Sequence, residues 1–150
     1  MKLWQKDKSA LAEVEKFTVG NDRDVDIYLA PFDVLGSLAH IKMLESVGLL
    51  SKEELSQIEI ELKDIYKQTQ SAGFKLNDGV EDIHSQVELM LTKKLGDAGK
   101  KIHSARSRND QVLVDLKLFL RSEIEKTVIN TKALFDLLIA QSEKYNADML

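Results

Sequence analysis

The chain of 150 residues has no cysteine. Disulfides, thiolate nucleophiles and thiolate metal ligands are therefore excluded together, which fits a reducing compartment. Proline occurs once and glycine seven times, so long stretches run without a helix breaker. Strand formers are sparse outside short apolar runs, and the expected fold class is all-α. No run approaches the roughly 18 consecutive apolar residues of a membrane span. The start, Met1-Lys2-Leu3-Trp4-Gln5-Lys6-Asp7, lacks the apolar core of a signal peptide, and a cytoplasmic location with no membrane partner is expected. A formal net charge of -4 argues against a nucleic-acid partner, which would need a basic face. With 43% hydrophobic and 31% charged residues, the chain has the makeup of a globular protein able to bury a core.

Along the chain, residues 5–17 are polar with helical tendency, and a charged turn follows around Gly20. From Asp24 to about Val47 the apolar positions recur at helical spacing, ending at Gly48. Pro31 predicts a kink or break near Ala30. Ser51-Lys52-Glu53-Glu54 reads as a capping box, and Leu55, Ile58, Leu62 and Ile65 form one stripe of an amphipathic helix that Gly73 stops. Asn77-Asp78-Gly79 is a turn. Val80, Ile83, Val87, Leu91 and Leu95 give another stripe, closed by Gly96 and Gly99. From residue 107 onward no glycine or proline appears. Val112, Val114, Leu116, Leu118 and Leu120 alternate like a strand, yet Leu113 and Phe119 fill the opposite face. A strand that long would be abnormal, so one helix of roughly 40 residues is expected, about 60 Å long. Its first turns are apolar nearly all round and need cover on several sides, which points to a helical bundle completed by further chain or other subunits. The sequence reads as though it continues past Leu150.

The most chemical stretch is His103-Ser104-Ala105-Arg106-Ser107-Arg108-Asn109-Asp110-Gln111. Lys100 and Lys101 precede it, and no carboxylate intervenes between Asp97 and Asp110. Ser107 or Asn109 can serve as N-cap, and Ser107 with Asp110 makes a loose capping box. Free amides and the helix dipole attract a carboxylate or phosphate. Arg106 and Arg108 can add paired charge-assisted bonds, and Asn109 offers both donor and acceptor. The plainer reading is a solvated basic loop whose Ser and Asn only cap a helix. Spacing alone leaves both open.

The string Ser107-Arg108-Asn109-Asp110-Gln111, with His103 and Arg106 before it and Val112 and Asp115-Leu116 after, closely resembles the argininosuccinate lyases of the fumarase/aspartase superfamily. Phe74-Lys75-Leu76-Asn77, Glu81-Asp82-Ile83-His84 and Leu95-Gly96 match the same family in order and spacing. So do Asp33-Val34, Gly36-Ser37 and Gly48-Leu49-Leu50-Ser51. The resemblance runs from about Glu15 to Leu150. It implies a helical amino-terminal domain over residues 1–106, and over 107–150 the first long helix of a central bundle. It further implies a homotetramer with composite active sites and cleavage of argininosuccinate to arginine and fumarate by β-elimination. No cofactor and no metal are expected.

Carried over residue by residue, Asn109 matches the family's substrate-binding asparagine and Arg108 the neighbouring arginine that meets a substrate carboxylate. Ser107 shapes the turn and can donate to the same oxygen. Asp26 matches an aspartate that binds the amino-acid end of the substrate; an exposed helix charge is the competing reading. Asp82 and His84 match a motif near the active site, and His84 reads equally well as a satisfied histidine beside the core. Arg106, Asp110 and Gln111 are supporting residues. His103 is expected to pack behind the loop, and His40 to be structural. No catalytic residue is expected within this segment, because in the family the acid and base lie in sequence beyond the position of Leu150. Two departures stand out. Thr18-Val19-Gly20 replaces the family's Asn-Ala-Ser substrate loop, leaving only backbone amides at Gly20 to approach a ligand. Trp4-Gln5-Lys6-Asp7 replaces an early Trp-Gly-Gly-Arg motif. Another lyase of the superfamily, or a catalytically silent structural homologue, is the alternative.

Overall fold

The computed structural model describes residue 17 and residues 20–148; the expectations for residues 1–16 and for Thr18 and Val19 fall outside that range. Every regular element among the described residues is helical. The chain divides into two compact units, Met1–Leu116 and Lys117–Leu150.

In the first unit a short helix α1 (Asp22–Asp26) leads through a 3-10 turn (Ile27–Leu29) into α2 (Ala30–Ser46). The break expected at Pro31 is thus a fresh helix start, with proline in the first turn, where its missing N–H leaves no bond unmade. Gly48, at φ +80°, closes α2. It turns the chain so that the Leu49 amide donates back to the Leu44 carbonyl at 2.8 Å. By length and composition the stretch Asp22–Ser46 is apolar enough to cross a membrane. It is nevertheless interrupted at 27–29, and its inner face carries fully buried Asp33 and Ser37 beside Val34 and Ile41.

Helix α3 (Lys52–Thr69) opens on the expected capping box, Ser51 Oγ accepting from the Glu54 amide and Glu54 accepting from the Ser51 amide. Helix α4 (Ile83–Leu95) starts three residues later than the apolar stripe suggested, because Asp82 is its N-cap and accepts the Ser85 amide at 2.7 Å. Val80 remains 2% exposed although it lies before the helix. Gly96 ends α4 at φ +59°. Gly99 does not act as a stop; it lies inside the four-residue helix α5 (Asp97–Lys100), pressed against the backbone of Leu91. A 3-10 turn (Lys101–His103) then leads to α6 (Arg108–Tyr145), whose 38 residues form the single long helix expected. The core of this unit joins Val34, Ile41 and Leu44 of α2, Ile58, Leu62 and Ile65 of α3, Ile83, Val87 and Leu91 of α4, and Ile102.

The second unit is the remainder of α6. Charged pairs one turn apart, Arg121–Glu125, Lys126–Glu123 and Lys132–Asp136, run along it. Between them Ile124, Val128, Ile129, Leu134, Phe135, Leu137, Leu138 and Ile139 are 47–67% exposed.

Candidate functional site

The loop 104–107 and the first turn of α6 make the candidate site. Ala105 takes φ +57°, a left-handed conformation few non-glycine residues adopt, and so reverses the chain into α6. Ser107 is the N-cap. Its Oγ accepts the Asp110 amide at 3.2 Å, and Asp110 Oδ2 accepts the Ser107 amide at 2.9 Å and its hydroxyl at 2.7 Å. These bonds hold the Asp110 carboxyl below its ordinary range. Ser107 and Asp110 are thus occupied with one another, and Asn109 lies exposed between them.

The positive field expected around the loop is narrower than its sequence suggests. Lys100 pairs with Asp97 at 2.7 Å and Lys101 with Glu54 at 2.6 Å. Arg106 turns inward and reaches Ser37 Oγ at 3.2 Å. Arg108 is half-buried; it donates to Ser85 Oγ at 3.2 Å and stands 3.7 Å from Asp82. Asn109 is therefore the exposed polar residue of the turn with no side-chain bond, and Arg108 stands beside it 31% exposed, with Asp82 and Ser85 steering the guanidinium from the start of α4.

Behind them lies a buried polar cluster. Asp33 Oδ1 accepts from His84 Nδ1 at 2.8 Å and from Gln111 Nε2 at 2.6 Å. Asp115 Oδ2 is 3.4 Å from the same His84 nitrogen. Burial pulls His84 down, but the bond and charge of Asp33, with Asp82 and Asp115, more than offset it and hold the ring above its ordinary value. Burial likewise pushes Asp115 up to about 7, with the Asp33 charge acting in the same direction. Asp33, His84 and Asp115 have the spacing of a metal-ligating group. Two cationic groups, His84 and Arg106, already face the two carboxyls, and Gln111 occupies Asp33. The donor set thus fits a hydrogen-bonded lock better than a cation cage.

The remaining predicted residues lie elsewhere. Asp26 accepts the Ile83 amide and so ties α1 to the start of α4; burial raises its carboxyl above the ordinary value. Arg23 makes a companion bond to the Val80 carbonyl. Gly20 sits in an exposed turn at φ +52° with open space around it. His40, expected to be structural, bonds the Ser104 carbonyl at 2.8 Å and holds the loop from behind. A cleft of about 120 Å³ opens there, lined by Gly36, His40, Arg106, Asp110, Gln111 and Asp115 among others.

The profile of a family described as lyase matches residues 6–149. The chain belongs to the lyase family. Argininosuccinate lyase of Bacteroides fragilis is 60% identical over 144 residues, covering 96% of this chain and 32% of that protein. The argininosuccinate lyase of Parabacteroides distasonis is 58% identical over 149 residues, 99% of this chain and 33% of the relative. That of Thermotoga neapolitana is 46% identical over 125 residues, covering 83% and 31%. The chain spans about a third of the length of the curated relatives it matches. Within this lyase chain, the roles of Asp33 and Asp115 escaped residue-by-residue reading. The signal was available: each carboxyl stands alone in an apolar run, with a second polar residue four positions away, Ser37 after Asp33 and Gln111 before Asp115.

Proposed function

We propose that this chain is the amino-terminal part of an argininosuccinate lyase, a carbon–nitrogen lyase acting in arginine biosynthesis. Its share of the active site is the corner formed by Arg108 and Asn109. The observation that carries the reading is that Asn109 is exposed with its side chain unmatched beside Arg108, whose guanidinium is held by Asp82 and Ser85 yet stays partly exposed, while Ser107–Asp110, Arg106–Ser37 and both lysine pairs are internally matched. In the reaction a base removes a proton from the carbon beside a carboxylate of the succinyl group. The electron pair forms the new C=C bond as the C–N bond breaks, and an acid protonates the departing guanidino nitrogen. Negative charge gathers on the carboxylate before that bond breaks. A planar guanidinium and an amide, fixed in advance at a helix N-terminus, stabilise it without reorganising.

The acid and base belong to the part of the full-length enzyme outside these 150 residues, so the segment alone binds weakly and turns nothing over. Residues 107–150 are assigned as the first helix of a central bundle and residues 1–106 as the domain packed before it. The working assembly is a cytoplasmic homotetramer with composite sites. Asp26 and Gly20 are assigned to the amino-acid end of the substrate, Gly20 through its amide alone. Asp82 steers Arg108, while His84, Arg106, Asp110 and Gln111 support the loop.

The test is fumarate release, followed by ultraviolet absorbance, in full-length Asn109→Ala and Arg108→Ala. Each variant should lose about 100-fold or more in kcat/KM, the usual cost of removing a donor to developing charge, with unchanged helical content. Near-normal turnover by both variants would overturn the assignment.

A further inference from the structure

Two buried carboxyls behind the loop keep oxygens that receive no hydrogen bond, although His84 Nδ1 stands 3.4 Å from Asp115 Oδ2. Asp33 and Asp115 are 0% and 1% exposed. Asp33 Oδ1 already takes two bonds, from His84 and Gln111. Asp33 Oδ2 and both oxygens of Asp115 have no hydrogen-bond partner. A buried acceptor without a donor is costly, and more so when charged. The neighbourhood offers little relief. Gly36 brings α2 so close that a Cβ on it would stand 3.3 Å from Asp115 Oδ1. On the other side Arg106 directs its terminal nitrogen to Ser37, and its Nε is also unpartnered.

We propose that Asp33 and Asp115 are positioning residues that share one proton, Asp115 donating to Asp33, and that this bond seats the first turns of α6 on α2 and fixes where Arg108 and Asn109 point. The inference rests on the reading that those two residues bind substrate. One proton satisfies an oxygen on each carboxyl and removes the repulsion between them, as like-charged carboxyls in one site require. Gln111 and Asp115 lie one helical turn apart on α6, so both grip Asp33 from the same face. The groups facing the pair are His84 from α4 and Arg106 from the loop, with the Asp26 carboxyl of α1 acting on Asp33 and His84 through its charge. His40 shares the cleft with Asp115, and Asp82, Glu88 and Arg108 act on the pair through His84 and Arg106. The rise of Asp115 to about 7 agrees with this arrangement. Above that value the proton leaves, the carboxyls repel, and the first turns of α6 loosen.

The test uses the full-length enzyme and its Asp115→Asn and Asp115→Ala variants, with kcat and KM measured separately from about pH 6 to about pH 9. Asparagine keeps a donor toward Asp33 without titrating. Its KM should stay near the wild-type acid-side value and lack the rise that the wild type shows through about pH 7. Alanine should raise KM at every pH, by up to about 100-fold for a misplaced binding group, with kcat less affected and asparagine restoring what alanine loses. Infrared difference spectra read the proton directly: a protonated-carboxyl band at about pH 6 in the wild type should be absent from Asp115→Asn. An absent wild-type band, or an identical KM step in wild type and Asp115→Asn, overturns the proposal. Full activity in Asn109→Ala would instead overturn the substrate-binding reading, and the positioning role with it, while the infrared band still decides whether the proton is shared.

Discussion

His84 Nδ1 lies 2.8 Å from Asp33 Oδ1, with the two side chains 2% and 0% exposed. That single bond joins α4 to α2, and Gln111 brings α6 to the same oxygen. Three helices separated widely in sequence therefore meet at one carboxylate. In a low-dielectric interior this convergence is directional, whereas apolar packing alone would tolerate sliding.

Removing the shared acceptor should be costly. Asp33→Ala strips the partner from His84 and from Gln111 and leaves Arg106 with one fewer counter-charge. Breaking a buried charged pair from one side typically costs about 3–5 kcal/mol. Urea unfolding of the full-length protein should show a loss of that order, and a loss below about 1 kcal/mol would mean that the cluster contributes little.

The same cluster makes stability depend on pH in one direction. His84 is raised above its ordinary 6.5, so its contribution is complete below that value and fades as pH climbs through the folded-state value. Asp115 is raised from 3.8 to about 7; it too favours the fold while protonated, and that advantage is lost as pH rises across this interval. Both act against alkali. The stability difference between wild type and His84→Asn should be larger at about pH 5 than at about pH 8. A gap that widens toward alkali would contradict the assignment of a charged His84.

Arg108→Lys should also be damaging, though less so than removal. The guanidinium is steered by Ser85 at 3.2 Å and by Asp82 at 3.7 Å while staying partly exposed. A lysine cannot bond those two groups and a substrate carboxylate through one planar fork. The expected signature in the full-length enzyme is a kcat/KM reduced by about 10-fold or more, measured by fumarate release. Retention of wild-type kcat/KM would show that charge alone suffices.

The helices were legible because their signals are local. Ser51 and Glu54 cap α3, Pro31 starts α2, Gly48 and Gly96 end helices at positive φ, and the absence of breakers after residue 107 yields one long helix. The site was legible only in part. Ser107-Arg108-Asn109-Asp110-Gln111 marked the loop, but spacing could not tell which of its charges would be neutralised. Lys101 is matched by Glu54, 47 positions away, and Arg106 by Ser37, 69 positions away. Such pairings arise from tertiary packing. Gly99 illustrates the same limit: its sequence reads as a helix stop, yet its position reflects a neighbour in space.

That neighbour gives a sharp steric prediction. A Cβ at Gly99 would stand 2.6 Å from both the carbonyl carbon and the oxygen of Leu91, atoms that cannot rotate away. Gly99→Ala should destabilise the protein by about 1–3 kcal/mol through forced backbone movement. Gly73→Ala is the control, since open space surrounds that position, and it should change stability by under about 1 kcal/mol in either direction. Equal melting temperatures for the two variants would refute the close approach.

The apolar length of α6 predicts association. Ile124, Val128, Phe135 and Leu138 are each 60–61% exposed. At spacings of four, seven and three residues they recur on one side of a helix whose other positions carry intrahelical ion pairs. Exposed apolar area on this scale favours burial at about 25 cal/mol per Å², against ordering costs that a helix already formed has largely met. Expressed as these 150 residues, the protein should sediment above its 17.0 kDa mass. Replacing Val128, Phe135 and Leu138 together with glutamate should shift it toward a monomer without melting the first unit, since all three lie beyond Leu116. A wild-type segment that stays monomeric at high micromolar concentration would show that this face needs no partner.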